Sequence, residues 1–297
     1  MRILNSTHLP VPLVEALRND DYNRGEGVNI SATGLLSPPR KQALEEMYAA
    51  ELEEDAADLA AILIGKGVHA YIAAKAPGEL SDKRRLMMAV NGWVVSGQTD
   101  HVDDEMYTLI GGRILDYKTT SVNEWKFGLR EERAQQLNIY AEIFRSNGLT
   151  VTGLAAVLVF KDYSATQGRY AADYPPHSIV EMDVPLWSRE EAQAFILERV
   201  KLHQAARCGE LPDCTDDERW LRDNKWSVRK RGNTRATKNH DTEADAIAHA
   251  TELNKTSPVP YTVEAKMGEP LRCSLYCAVG RQGLCSQYNA YLEENNG

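Results

Sequence analysis

The chain has 297 residues, 43% of them hydrophobic and 26% charged, the ordinary balance of a soluble globular protein. That length suits one large domain with an appendage, or two modest ones. The formal net charge of −9 excludes a chain that is basic throughout but not a local basic face, because binding is set by local fields rather than by the total. The longest apolar runs, near Leu59–Ile64 and Leu154–Phe160, are too short to cross a bilayer. Asn5, Ser6, His8, Pro10 and Pro12 interrupt the N-terminal stretch, so no signal peptide, no membrane contact and a cytoplasmic location are expected.

Residues 1–40 are punctuated by Pro and Gly, ending at Ser37-Pro38-Pro39-Arg40. A helical pattern then runs from Arg40 to Lys75, with Leu44, Met47, Leu52, Leu59, Ile62 and Leu63 near helical spacing. Its acidic middle allows two helices in place of one. Strands are expected at Gly92–Gly97, Met106–Ile110 and Arg113–Lys118, with turns at Asp103-Asp104 and Gly111-Gly112. A helix follows over Arg130–Phe144, then strands at Val151–Phe160 and Ser178–Val184. The first of these is apolar on both faces and so expected inside a sheet. Ser188 and Glu191 form a capping-box pattern opening a helix to about Ala206. The order describes an α/β domain on a mixed central sheet flanked by helices, expected over residues 1–207. A second domain, residues 208–297, is expected to hold a strand at Lys225–Lys230, a helix at Thr242–Leu253, a strand at Tyr261–Ala265 and a cysteine-bearing tail.

The chemistry centres on Asp100, after Gly97-Gln98-Thr99, and on Asp116-Tyr117-Lys118. Residues two apart on a strand share a face, so Asp116 and Lys118 point the same way. Phosphodiester hydrolysis uses a divalent cation to polarise the phosphate and activate water. Hard cations such as Mg2+ need only a few carboxylates and keep several waters. Lys118 would then stand near the nucleophilic water, and the Tyr117 carbonyl offers one more ligand. An Asp-x-Lys triplet alone is common and usually a solvated pair; its companions carry the argument. His69, late in the preceding helix, is a third candidate ligand, and an imidazole tilts the preference toward Mn2+. Gln136 and Tyr140, four apart on the following helix, share one face.

The order His69, Gly97-x-x-Asp100, Asp116-x-Lys118, Gln136-x-x-x-Tyr140 resembles the RecB-like branch of the PD-(D/E)XK nucleases, which includes CRISPR-associated RecB-like and phage exonucleases. The segment Asn29–Leu36 is similar to the substrate-entry segment of the phage members, and Asp116 stands where many members carry Glu. The resemblance implies a restriction-endonuclease-like core. It implies that His69, Asp100, Asp116 and the Tyr117 carbonyl bind Mg2+ or Mn2+, that Lys118 assists catalysis, and that Gln136 and Tyr140 support DNA binding. The expected activity is a metal-dependent DNA exonuclease of phage or bacterial recombination and repair. An endonuclease on the same core and an inactive nucleic-acid-binding protein are the alternatives. A recombination or single-strand-annealing protein is a candidate partner, and oligomerisation stays open.

Cys273, Cys277 and Cys285 lie close together near the C-terminus, a density that suits a structural metal or cluster in a reducing compartment. Four ligands are usual. Cys214 is the candidate fourth, with Cys208 the alternative. RecB-like relatives that hold a 4Fe–4S cluster carry three C-terminal cysteines and one far upstream. The resemblance therefore favours a 4Fe–4S cluster, with Zn2+ as the alternative, acting as a staple. The stretch Lys225–Lys238 holds six basic residues and no acid. Arg229, Lys230 and Arg231, with Trp220 and Trp226 nearby, are candidate DNA contacts, although Trp226 also suits the core of the small domain.

Overall fold

The computed structural model describes residues 1–19, 25–75, 85–103 and 111–295. The chain forms two compact units, residues 1–43 with 53–212 and residues 44–52 with 213–297. The first unit runs past residue 207 to Pro212, where Arg40 Nη1 donates to Leu211 O at 2.8 Å.

The first unit opens with β1 (Arg2–Leu4), α1 (Val11–Arg18), β2 (Ile30–Ser31), α2 (Ala32–Leu36) and α3 (Pro39–Met47), which carries the chain across the unit boundary. It continues through β3 (Glu53–Asp55), α4 (Ala60–Lys75), β4 (Arg85–Val90), β5 (Trp93–Gln98), β6 (His101–Asp103) and β7 (Gly111–Thr120). Then come α5 (Asn123–Phe127), α6 (Glu131–Ser146), β8 (Thr150–Phe160), α7 (Ala165–Tyr170), β9 (Ile179–Val184) and α8 (Arg189–Arg207). The architecture is mixed α/β, with several small sheets flanked by helices.

The single central sheet expected from sequence is divided. β2-β5-β4 form one sheet and β6-β7-β8-β9 another, because the chain bends at Thr99-Asp100 between β5 and β6. The four-stranded sheet is mixed, with β7 and β8 parallel and the outer pairs antiparallel. β8 lies inside it, which is why its two faces are both apolar. The strand expected at Met106–Ile110, and Asp104 of the expected turn, lie outside the described residues. The expected helical run Arg40–Lys75 is broken by β3, which pairs in parallel with β1, and Asp55 then caps the next turn by accepting from Ala57 N at 2.9 Å. Uninterrupted apolar runs understate the helical segment beyond that cap: Ala56–Lys75 is long and apolar enough, by length and composition alone, to cross a bilayer.

α6 is the keystone of this unit. All residues from Gln136 to Phe144 are buried, so its polar groups need internal partners. Asn138 Nδ2 donates to Ala134 O and Pro185 O, and Glu142 accepts from Arg189 and Gln193. The Ser188–Glu191 capping box opens α8 as the sequence indicates.

The second unit holds α9 (Asp216–Arg219), β10 (Lys225–Lys230), β11 (Lys238–His240), α10 (Glu243–Thr256), β12 (Tyr261–Lys266), α11 (Ala278–Arg281) and α12 (Ser286–Asn295). Its antiparallel sheet has the order β11-β10-β12. α10 covers one face through Val228, Ala246 and Ala250, with Trp226, Leu253, Tyr261 and Val263 packed around them.

Candidate active site and cysteine cluster

β7 fixes the heart of the candidate site. Asp116 and Lys118 project from the same face of this strand, and Lys118 Nζ stands 2.6 Å from Asp116 Oδ2. Asp116 is only 3% exposed, and no hydrogen bond of good angle reaches its buried Oδ2. Burial raises the Asp116 pKa, the Lys118 ammonium opposes that rise, and the Asp100 carboxylate adds to it.

Asp100 sits in the bend between β5 and β6. Its Oδ2 accepts the Tyr117 N–H at 2.8 Å, which ties the bend to β7. Its Oδ1 lies 3.0 Å from His69 Nδ1 on α4. This contact raises the His69 pKa above its ordinary 6.5, against the lowering effect of burial. The His69 and Tyr117 rings meet edge to face with centroids 6.4 Å apart. His69, Asp100, Asp116 and Lys118 are thus joined as two ion pairs, with Tyr117 between them.

Gln136 and Tyr140 form the inner wall. Gln136 Nε2 donates to Tyr140 Oη at 2.7 Å and to Thr33 Oγ1 at 3.3 Å. Burial, followed by Asp116, pushes the Tyr140 phenol far above its ordinary pKa, so it stays neutral. Gly97 makes this wall possible. A Cβ there would lie 2.8 Å from Tyr140 Cδ1 and 2.9 Å from Ile143 Cδ1, so only glycine lets α6 seat so closely on β5.

Residues not singled out from sequence complete the surroundings. Glu124 is buried, accepting from Thr120 Oγ1 at 2.5 Å and pairing with Arg133 Nε at 2.9 Å. Arg133 feels the Asp116 charge, and its Nη1 is buried without a hydrogen-bond partner. Thr33, the partner of Gln136, lies within the Asn29–Leu36 segment noted for its resemblance. No spacing rule ties Glu124 or Arg133 to the site, since their contacts arise only from the packing of α5 and α6.

Among the described residues, no three or more His, Cys, Asp or Glu side chains are drawn together at metal-holding distances. The donor chemistry nonetheless suits a hard divalent cation, since Asp116 offers a buried carboxylate now paired with the Lys118 ammonium and Asp100 a second carboxylate.

In the second unit Cys277 and Cys285 are buried, whereas Cys214 and Cys273 are half-buried. Cys208 is exposed and belongs to the first unit. The Cys214 thiol is pushed up to about 12 by burial, then by Glu218 and by the other three cysteines. Burial, then Cys277 and Cys285, push Cys273 up to about 11. Cys277 and Cys285 thus act on both Cys214 and Cys273. Gln287 clasps Cys214 to α12 through both of its backbone groups, each at 2.9 Å.

The candidate DNA contacts divide. Arg229 Nη2 lies 3.4 Å from Glu264 Oε2, Lys230 stands 6.0 Å from the centroid of the Tyr261 ring, and Arg231 is exposed beyond the strand. Trp226 packs in the core of the second unit. Trp220 stacks under the Arg272 guanidinium at 4.2 Å and meets Tyr276 edge to face.

Residues 219–266 match the model of a family described as an uncharacterized protein conserved in bacteria (DUF2188). A comparison with curated proteins finds no match. The chain is similar to a solved structure described as "Crystal structure of SSO0001", with 17% identity and a TM-score of 0.42, over 64% of this chain and 82% of that one.

Proposed function

We propose that the protein is a metal-dependent DNA nuclease of the RecB-like PD-(D/E)XK type, acting as an exonuclease in phage or bacterial recombination and repair. The single observation that carries this reading is the buried Asp116 carboxylate paired with Lys118 on one face of β7, with Asp100 anchored to the intervening Tyr117 amide. The element order supports it too: a helix, an antiparallel hairpin, a strand bearing Asp-x-Lys, a helix, and a parallel strand beside the third.

In this reading Asp100, Asp116, His69 and the Tyr117 carbonyl would hold Mg2+ or Mn2+, which when bound supplies charge to polarise the phosphate and activate water. His69 must be neutral to become a ligand, so the pairing with Asp100, which favours its protonated form, competes with metal. Lys118 would have to release Asp116 for it to ligate, and its ammonium would stabilise the negative charge that builds on the phosphate. Gln136 and Tyr140 shape the wall against which the DNA lies. Cys214, Cys273, Cys277 and Cys285 would hold a 4Fe–4S cluster or Zn2+ as a staple, whose positive charge would favour their thiolate forms.

The test is cleavage of end-labelled linear DNA and circular DNA in Mg2+, Mn2+ or EDTA. Metal-dependent loss of linear DNA alone is expected. Nicking of circles moves the assignment to an endonuclease. DNA binding without cleavage under any metal leaves a nucleic-acid-binding protein.

A further inference from the structure

The sheet of the second unit has two unlike faces. In register, Trp226, Val228, Tyr261 and Val263 share the side covered by α10. Lys225, Ser227, Arg229, Asn239, Thr262, Glu264 and Lys266 share the other, and not one of them is apolar. A sheet face meant to be buried against another element would carry apolar side chains. This face instead opens into a polar groove of about 600 Å³, whose lining includes Ser227, Arg229, Arg235, Lys238, Asn239 and Lys266.

Charge in the groove runs against that of the chain. Three bases (Arg229, Arg235 and Lys266) face a single acid, Glu264, in a protein of net charge −9; Lys238, opposite Val228 in register, borders the groove from the helix side. Glu264 is taken by Arg229 at 3.4 Å, and Arg229 Nε is still buried without a hydrogen-bond partner. Among the described residues no acid pairs with Arg235 or Lys266. Unpaired like charges gathered in one concavity repel one another unless an anion joins them. The Ser227 hydroxyl and the Asn239 amide add neutral polar groups, and the groove has no aromatic platform on which a base would stack.

We propose that this groove binds the phosphate backbone of nucleic acid, without sequence preference, as a site separate from the candidate nuclease centre. It reassigns the DNA-contacting role: Arg229 lines the groove, Lys230 lies on the helix side, and Arg235 and Lys266 replace Lys230 and Arg231. The proposal extends the reading of the protein as a DNA-acting nuclease, but it stands on the groove alone.

The experiment measures binding of labelled duplex and single-stranded DNA to the full chain carrying Asp116→Ala, in EDTA, by fluorescence anisotropy over a salt series. Arg235→Glu/Lys266→Glu is compared with Lys201→Glu/Lys255→Glu, an equal charge change off the groove. The groove variant is expected to lose at least ~10-fold in affinity and to flatten the salt dependence by roughly two released counterions, while the control keeps both. Equal affinity and slope in the two variants, or no binding by the parent, overturns the proposal. If the wild-type protein cuts no DNA but the groove variant still loses affinity, the nuclease reading fails and the groove stands. If it cuts DNA and the groove variant binds like the control, the reverse holds.

Discussion

Lys118→Met keeps most of the aliphatic stem and removes the strongest opposing charge beside Asp116. Asp116 is 3% exposed and Lys118 Nζ lies 2.6 Å away, so the substitution strands a buried carboxylate. Removing one partner of a buried pair costs about 3–5 kcal/mol. The Lys118 side chain is 22% exposed, which lets water replace part of its effect and points to the lower end, about 3 kcal/mol. The cost depends on pH with a defined sign. Burial already raises the Asp116 pKa above its ordinary 3.8 while Lys118 opposes it, so the variant raises it further. Above 3.8 the unfolded variant has released this proton while its folded form retains it, and stability falls as pH rises to the folded value. The limiting slope is about 1.4 kcal/mol per pH unit. Urea unfolding at pH 5 and pH 8 reads the effect: the deficit relative to wild type should be larger at pH 8. Adding Asp116→Asn should abolish the pH dependence and recover most of the loss. A deficit equal at the two pH values, or a double variant no more stable than the single one, refutes the reasoning.

Gly97→Ala should lose about 1–3 kcal/mol by overpacking, because its Cβ would meet Tyr140 and Ile143 under 3 Å; thermal unfolding checks this, and activity should fall with it. The stability that His69 adds, read as wild type minus His69→Ala by urea unfolding, should be complete below pH 6.5 and vanish as pH rises through its raised folded pKa. Cys285→Ser should remove metal or iron from the purified protein, read by elemental analysis and visible absorption, whereas Cys208→Ser should leave the content unchanged.

Local rules carry much of the fold. The Ser188–Glu191 box, the apolar run of β8 and the strand Lys225–Lys230 are legible because short-range hydrogen bonding and burial decide them. The hairpin β4–β5 is equally local, although β4 is absent from the expected elements: Asn91-Gly92 supplies two positive φ angles, +48° and +77°, the strongest short-range hairpin pattern. Other features depend on distant partners. β3 exists because β1 pairs with it across the chain, and the broken sheet follows from a bend whose anchor, the Asp100–Tyr117 hydrogen bond, spans 17 residues. In the site, the alternation of Asp116 and Lys118 follows from strand geometry alone. The His69–Asp100 pairing and the Glu124–Arg133 pair require the packing of α4, α5 and α6, which no single-chain periodicity encodes.

Single-turnover cleavage of end-labelled linear DNA by the wild-type protein and by Asp116→Asn, with and without Mn2+, tests the central claim most directly. The account predicts cleavage only with metal, and at least ~100-fold slower in the variant, whose amide is nearly isosteric but carries no charge for the cation. Cutting by the variant at the wild-type rate, or a folded wild-type protein that cuts nothing with metal present, contradicts it.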